Sequence, residues 1–160
     1  MNQGGPVVER ESVYEYVGGA EAFVTLAAAL TERCLADPVL NHPFSHGTDP
    51  QHNERLGAYL GEVFGGPPTY TQLGGHSAML AMHAGTGADA DFGSRFVACF
   101  DLAVEDAGFP DDANLRRVLH DYMVYATNEV DDVSPQGMTA EPGLAMPRWS
   151  WNGRIDEIDG

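Results

Sequence analysis

Apolar positions recur along this chain at helical spacing almost from end to end. Phe23, Leu26, Ala27, Leu30 and Cys34 fall at i, i+3, i+4, i+7 and i+11, which predicts a long amphipathic helix stopped by Asp37-Pro38. His52, Leu56, Tyr59, Leu60 and Val63 give the inner face of a second helix, beginning near Asp49-Pro50 and cut off by Gly65-Gly66-Pro67-Pro68. Phe92, Phe96, Cys99, Phe100 and Ala103 mark a third, broken by Gly108-Phe109-Pro110. Leu115, Val118, Leu119, Tyr122, Met123, Ala126 and Val130 mark a fourth, with Asp111 or Asp112 as its cap. Two shorter helices complete the set. One spans residues 13–17 and ends at Gly18-Gly19; the other spans residues 76–83 and lies between Gly74-Gly75 and Gly85. Residues 69–73 read as an extended connector. No strand-type alternation competes and no internal repeat is visible, so the fold class is all-α.

The pattern also divides the chain. Residues 1–11 read as a loose leader and 12–131 as one helical domain. Residues 132–160 carry Ser134-Pro135-Gln136-Gly137, Glu141-Pro142-Gly143 and Pro147-Arg148-Trp149-Ser150-Trp151, which no regular helix accommodates. That irregular C-terminal tail is expected either to fold back over the domain or to make an oligomer contact such as a homodimer interface. A floppy acidic tail is the alternative.

Composition narrows the partners. The chain has 160 residues, 43% of them hydrophobic and 20% charged, which suits one globular domain with a real core. The 24 acidic and 8 basic residues give a formal charge of −16, so nucleic acid and anionic membrane surfaces would repel it. No apolar run reaches the ~18 residues of a membrane span, and the first residues carry no secretory signal, so a cytoplasmic location is expected. Cys34 and Cys99 sit inside apolar helical patterns and read as buried thiols rather than a disulfide or zinc site.

The candidate chemistry lies with the histidines. Met79, Leu80 and His83 share a helical face, so an apolar stripe ends in an imidazole; a packed core histidine is the plainer reading of such a position. His42, His46 and His52 crowd one loop, where solvated side chains compete with a metal site. His52 differs because its stripe continues through Leu56 and Leu60. No HExxH, CxxC, Glu-x-x-His pair, P-loop, nucleophile elbow or dinucleotide fingerprint accompanies them.

Over roughly residues 12–130 the chain resembles the truncated haemoglobins, specifically the second group of that family. The resemblance rests on Tyr16-Val17-Gly18-Gly19, Ala36-Asp37-Pro38-Val39-Leu40, Glu54-Arg55-Leu56, Gly65-Gly66-Pro67 with Thr69-Tyr70, Gly75-His76 with Met82-His83-Ala84, and Leu115-Arg116-Arg117. It implies a two-over-two helical sandwich holding haem b, with His83 as the axial iron ligand. It places Phe44 against the haem, Leu56 and His52 on the distal helix, Thr31 at the distal position of the long helix, and Phe96 over the distal pocket. It also places Arg55 and Tyr70 near the haem propionates, and His76 and Met79, on the helix that carries His83, among the haem-binding residues.

Three positions depart from that family. Thr31 stands where tyrosine is usual, Phe96 where tryptophan is usual, and Met82 where a basic residue precedes the axial histidine. Phenylalanine donates no hydrogen bond and threonine is short, so the ligand-stabilising donor is expected to have moved to His52. The implied function is reversible binding or transport of O2, NO and CO, with NO dioxygenation or peroxide turnover as related activities. Nothing in the chain binds a flavin or nicotinamide, so turnover would need an external reductase. The alternative is a haem oxidoreductase acting on an organic substrate in a roomier pocket; a helical domain without haem is the third reading.

Overall fold

The computed structural model describes residues 11–41, 50–87 and 91–155. His42, Phe44 and His46, and all of the leader except Glu11, lie outside the described residues. Among the described residues, seven helices and one small hairpin follow in chain order: α1 Val13–Val17, α2 Ala20–Ala36, α3 His52–Val63, α4 Thr69–Gln72, α5 Gly75–His83, α6 Phe92–Asp106, α7 Ala113–Val133, β1 Trp149–Ser150 and β2 Gly153–Arg154.

Helix α2 packs on α3 and on α6, and α6 packs on α7, so two helix pairs cross to form a sandwich. The predicted stripes are its filling: Phe23, Leu26, Leu30, Leu60, Phe100, Leu115 and Leu119 are all buried. Phe23 stacks on Phe64 at 6.1 Å, and Phe64 meets Tyr122 edge-on at 5.2 Å, tying α2 to α7 through the end of α3. The α2–α3 contact is close because α3 carries Gly57. A Cβ there would stand 2.9 Å from the backbone of Val24.

Local chemistry sets the helix ends. Ser12 and Glu15 make a reciprocal capping box for α1, and Gly18, at φ 119°, closes it. Of the two candidate caps for the last helix, Asp112 does the work. Its Oδ1 accepts from the amides of Asn114 at 2.9 Å and Leu115 at 3.1 Å.

Two sequence expectations need correcting. Residues 69–72 form the helical turn α4 rather than an extended connector. The buried Glu62 carboxylate organises that turn, accepting from the Thr71 amide at 2.9 Å and from the Thr71 hydroxyl, while Tyr70 is buried beneath it. The last helix also continues past Val130, the last residue of its apolar stripe, to Val133.

The tail returns to the helices. Trp149 and Trp151 are buried; Trp149 packs edge-on against Tyr122 at 5.6 Å, and Trp151 donates from Nε1 to the Glu11 carbonyl at 2.8 Å. On the way the tail crosses α5, where the Ser77 hydroxyl donates to the Glu141 carbonyl at 2.7 Å and accepts from the Leu144 amide at 2.8 Å. Among the described residues no helix is long and apolar enough to cross a membrane.

Candidate functional site

Between α2, α3, α5, α6 and α7 lies a cavity of about 710 Å³, within the roughly 300–1,000 Å³ range of ligand pockets. Its walls are mainly Leu30, Leu40, Leu56, Leu60, Phe92 and Phe96. Polar side chains reach it from Thr31, His52, Tyr59, His83, Thr86, Tyr122, Thr127 and Asp131. The turn after α2 adds Pro38 and Val39. Asp37 shapes that turn by accepting from the amides of Val39 and Leu40 at 2.8 and 3.1 Å. Burial works to raise the Asp37 carboxyl, but these amides and Arg95 outweigh it and hold the group below its ordinary value.

His83 closes α5 half-buried on the cavity wall. Its Nδ1 lies 2.9 Å from the Met79 carbonyl oxygen, one helical turn back. A carbonyl only accepts, so Nδ1 carries the proton and the Nε2 lone pair is left for a metal. Among the described residues no group of three His, Cys, Asp or Glu side chains is arranged to hold a metal ion. One oriented imidazole in an apolar slot therefore suits an iron whose remaining donors come from a porphyrin. Haem fits the residues present.

The other sequence candidates divide. Thr31, His52, Leu56, Met79 and Phe96 line the same cavity as His83. Phe96 stacks on Phe92 at 6.4 Å and offers no donor. Thr31 is buried, and its hydroxyl lies 2.9 Å from the Ala27 carbonyl and 2.7 Å from Asn53 Oδ1. A single proton with two acceptors at hand is not aimed at the cavity. Met82 also reaches the wall although it is 66% exposed.

Arg55, Tyr70 and His76 do not line the cavity. Arg55 sits on the exposed side of α3, with Nη2 donating to Gln51 Oε1 at 3.0 Å. Tyr70 is buried against Tyr59, and burial raises its pKa against the opposing charge of nearby Arg55. Arg55 and Tyr70 are thus neighbours, off the cavity wall. His76 faces inward behind the wall, between Tyr59 and Glu129.

Tyr59, Tyr122 and Cys34 also stand in the wall, at positions the helical stripes mark as core. The helical stripes place these residues on inner faces, but local spacing does not say where the polar atoms at their tips lead. Burial pushes Cys34 up to about 12, with Cys99 and Asp37 adding to the effect, so the thiol stays protonated and is no rival to His83 as a ligand. Burial also raises both tyrosines.

Known proteins share this architecture. The haemoglobin of the actinobacterium Thermobifida fusca is 35% identical, the match covering 75% of this chain and 96% of that one with a TM-score of 0.62. The haemoglobin of the thermophilic phototroph Chloroflexus aurantiacus is 27% identical, covering 76% and 98% with a TM-score of 0.65. The group II truncated haemoglobin of Bacillus anthracis is 18% identical, covering 85% and 96% with a TM-score of 0.67, a likeness of fold. The sequence pattern described as bacterial-like globin matches residues 12–128. With that match over most of its length and the truncated-haemoglobin sandwich around its cavity, the chain belongs to the bacterial-like globin family.

Proposed function

We propose that this haem-binding globin holds haem b through His83 and takes O2, NO and CO reversibly in the space beside His52. The observation that carries the reading is the hydrogen bond from His83 Nδ1 to the Met79 carbonyl, which fixes the ring tautomer and orientation a metal requires. Bound haem supplies an iron centre with an open position for a diatomic ligand. The leucine and phenylalanine walls keep water from that position. His52, half-buried on α3, is our candidate to donate an N–H to the polar end of the ligand, since the Thr31 proton is engaged and Phe96 has none. Arg55, one turn beyond His52 and beside Tyr70, is our candidate for the haem carboxylates.

Replacing the donor tests the assignment. One hydrogen bond is worth ~1–2 kcal/mol, so His52→Leu should speed O2 dissociation from the ferrous protein roughly five- to thirtyfold. An unchanged rate in stopped-flow would remove His52 from the role.

A second reading has one observation in its favour. The wall formed by Leu30, Cys34, Phe92 and Phe96 is apolar and carries few donors, which suits a small organic substrate for a haem oxidoreductase. Such turnover, like NO dioxygenation, would draw electrons from an external reductase. Rapid decay of the air-exposed ferrous protein to the ferric form, together with a substrate-induced spectral shift, would favour this reading over a carrier.

A further inference from the structure

Behind the cavity wall is a line of buried titratable groups that ligand binding does not use. Tyr59, on the wall and 4% exposed, has its Oη 2.8 Å from Nδ1 of His76, itself 3% exposed. His76 Nε2 lies 3.1 Å from Glu129 Oε1. That oxygen is buried and makes no hydrogen bond among the described residues, so its contact with His76 is one of charge and proximity. The remainder of the Glu129 side chain reaches the surface, so the line runs from the cavity to solvent.

The donor and acceptor roles follow from the chemistry of the groups. A carboxylate 3.1 Å from Nε2 favours the ring proton on that nitrogen, facing the negative charge of Glu129. In the neutral ring Nδ1 is then a lone pair, and the Tyr59 hydroxyl donates to it. Burial holds the phenol far from ionisation, so proton loss ahead of electron loss is closed to it. Oxidation changes this balance. A phenol that loses an electron becomes a strong acid, and a base 2.8 Å away takes the proton in the same event. Glu129 then faces a positive imidazolium, which spares the apolar interior an uncompensated charge. A purely structural site is served at lower cost by apolar side chains of similar size.

We propose that Tyr59 is a one-electron donor to the cavity when the oxidant is a hydroperoxide, with His76 as its proton acceptor and Glu129 as the positioning and counter-charge residue. The proposal rests on the haem reading above. Cleaving the O–O bond consumes two electrons and two protons and yields an alcohol, or water, plus a second water. Tyr59 would supply one of the electrons and bound haem the other, while solvent supplies the two protons. The Tyr59 O–H bond breaks and an N–H bond forms at His76 Nδ1. Two equivalents of a one-electron reductant of the ascorbate class restore both electrons, and the proton held at His76 moves back to Tyr59.

The test uses the full haem-loaded chain mixed with one equivalent of hydrogen peroxide, frozen rapidly and read by electron paramagnetic resonance. Wild type should give a tyrosyl radical whose hydrogen-bonded proton exchanges in D2O. Tyr59→Phe should abolish the signal, Tyr122→Phe and Tyr125→Phe, which remove the hydroxyls beside Tyr59 and Glu129, should retain it, and His76→Leu, which leaves no donor, should erase the exchangeable-proton coupling. Persistence in Tyr59→Phe, loss in Tyr122→Phe, or a tryptophanyl signal instead would overturn the proposal. Should Tyr59→Phe fail to fold, as read by circular dichroism, the His76→Leu coupling decides, and an unchanged coupling overturns it. A wild-type protein with a normal Soret band and no radical ends the Tyr59 proposal and leaves the haem reading standing. A chain that takes up no haem ends both.

Discussion

Thr31 and His52 both reach the cavity from positions the sequence marked, and their surroundings separate their roles. The Thr31 hydroxyl is already engaged with Ala27 and Asn53. Thr31→Val should therefore leave O2 dissociation nearly unchanged while lowering stability by about 1 kcal/mol, the usual net worth of one such bond. Denaturant unfolding reads the second effect and stopped-flow the first; a dissociation rate that rises as much as in His52→Leu would return Thr31 to the distal role. The pairing of His83 with Met79 was legible because residues one turn apart share a helical face. The Tyr59–His76–Glu129 line was not. Tyr59 and His76 are 17 residues apart, and Glu129 sits on another helix, so no local spacing brings the three together.

At the scale of elements, the stripes placed the four long helices because burial of one apolar face is what keeps each of them helical. The exception is instructive. Residues 69–72 carry no amphipathic stripe, and their helical turn depends on the Glu62 carboxylate from α3, a tertiary partner no local pattern announces. The tightness of the α2–α3 contact was also unreadable, since one glycine in a helical run means little until the opposing backbone is known. Gly57→Ala puts a methyl 2.9 Å from Val24 and forces the helices apart. It should destabilise the fold by about 1–3 kcal/mol, as overpacking does, despite alanine's better helix propensity. A stabilised variant in chemical denaturation would contradict the packing.

At the scale of the whole molecule, the tail supports the helix that carries His83. The Glu141 carbonyl and the Leu144 amide both bond to Ser77 on α5, and the tail then anchors through Trp149 on Tyr122 and Trp151 on Glu11. Buried tryptophans remove about 150–250 Å² each, worth several kcal/mol at roughly 25 cal/mol per Å² before the entropy of ordering the segment. A chain ending after Pro135 should melt at lower temperature and surrender hemin faster to an apoglobin acceptor; unchanged melting and transfer would make the tail incidental. The two tryptophans announced that the tail has something to bury, but not where. The most direct test of the whole account is a hemin titration of the haem-free chain, followed through the Soret band, with His83→Gly measured beside it. Saturation at one equivalent for wild type, a weak and shifted band for the variant, and recovery of the wild-type band on adding free imidazole are the predicted results. A His83→Gly protein whose Soret band and affinity match wild type would contradict the account at its centre.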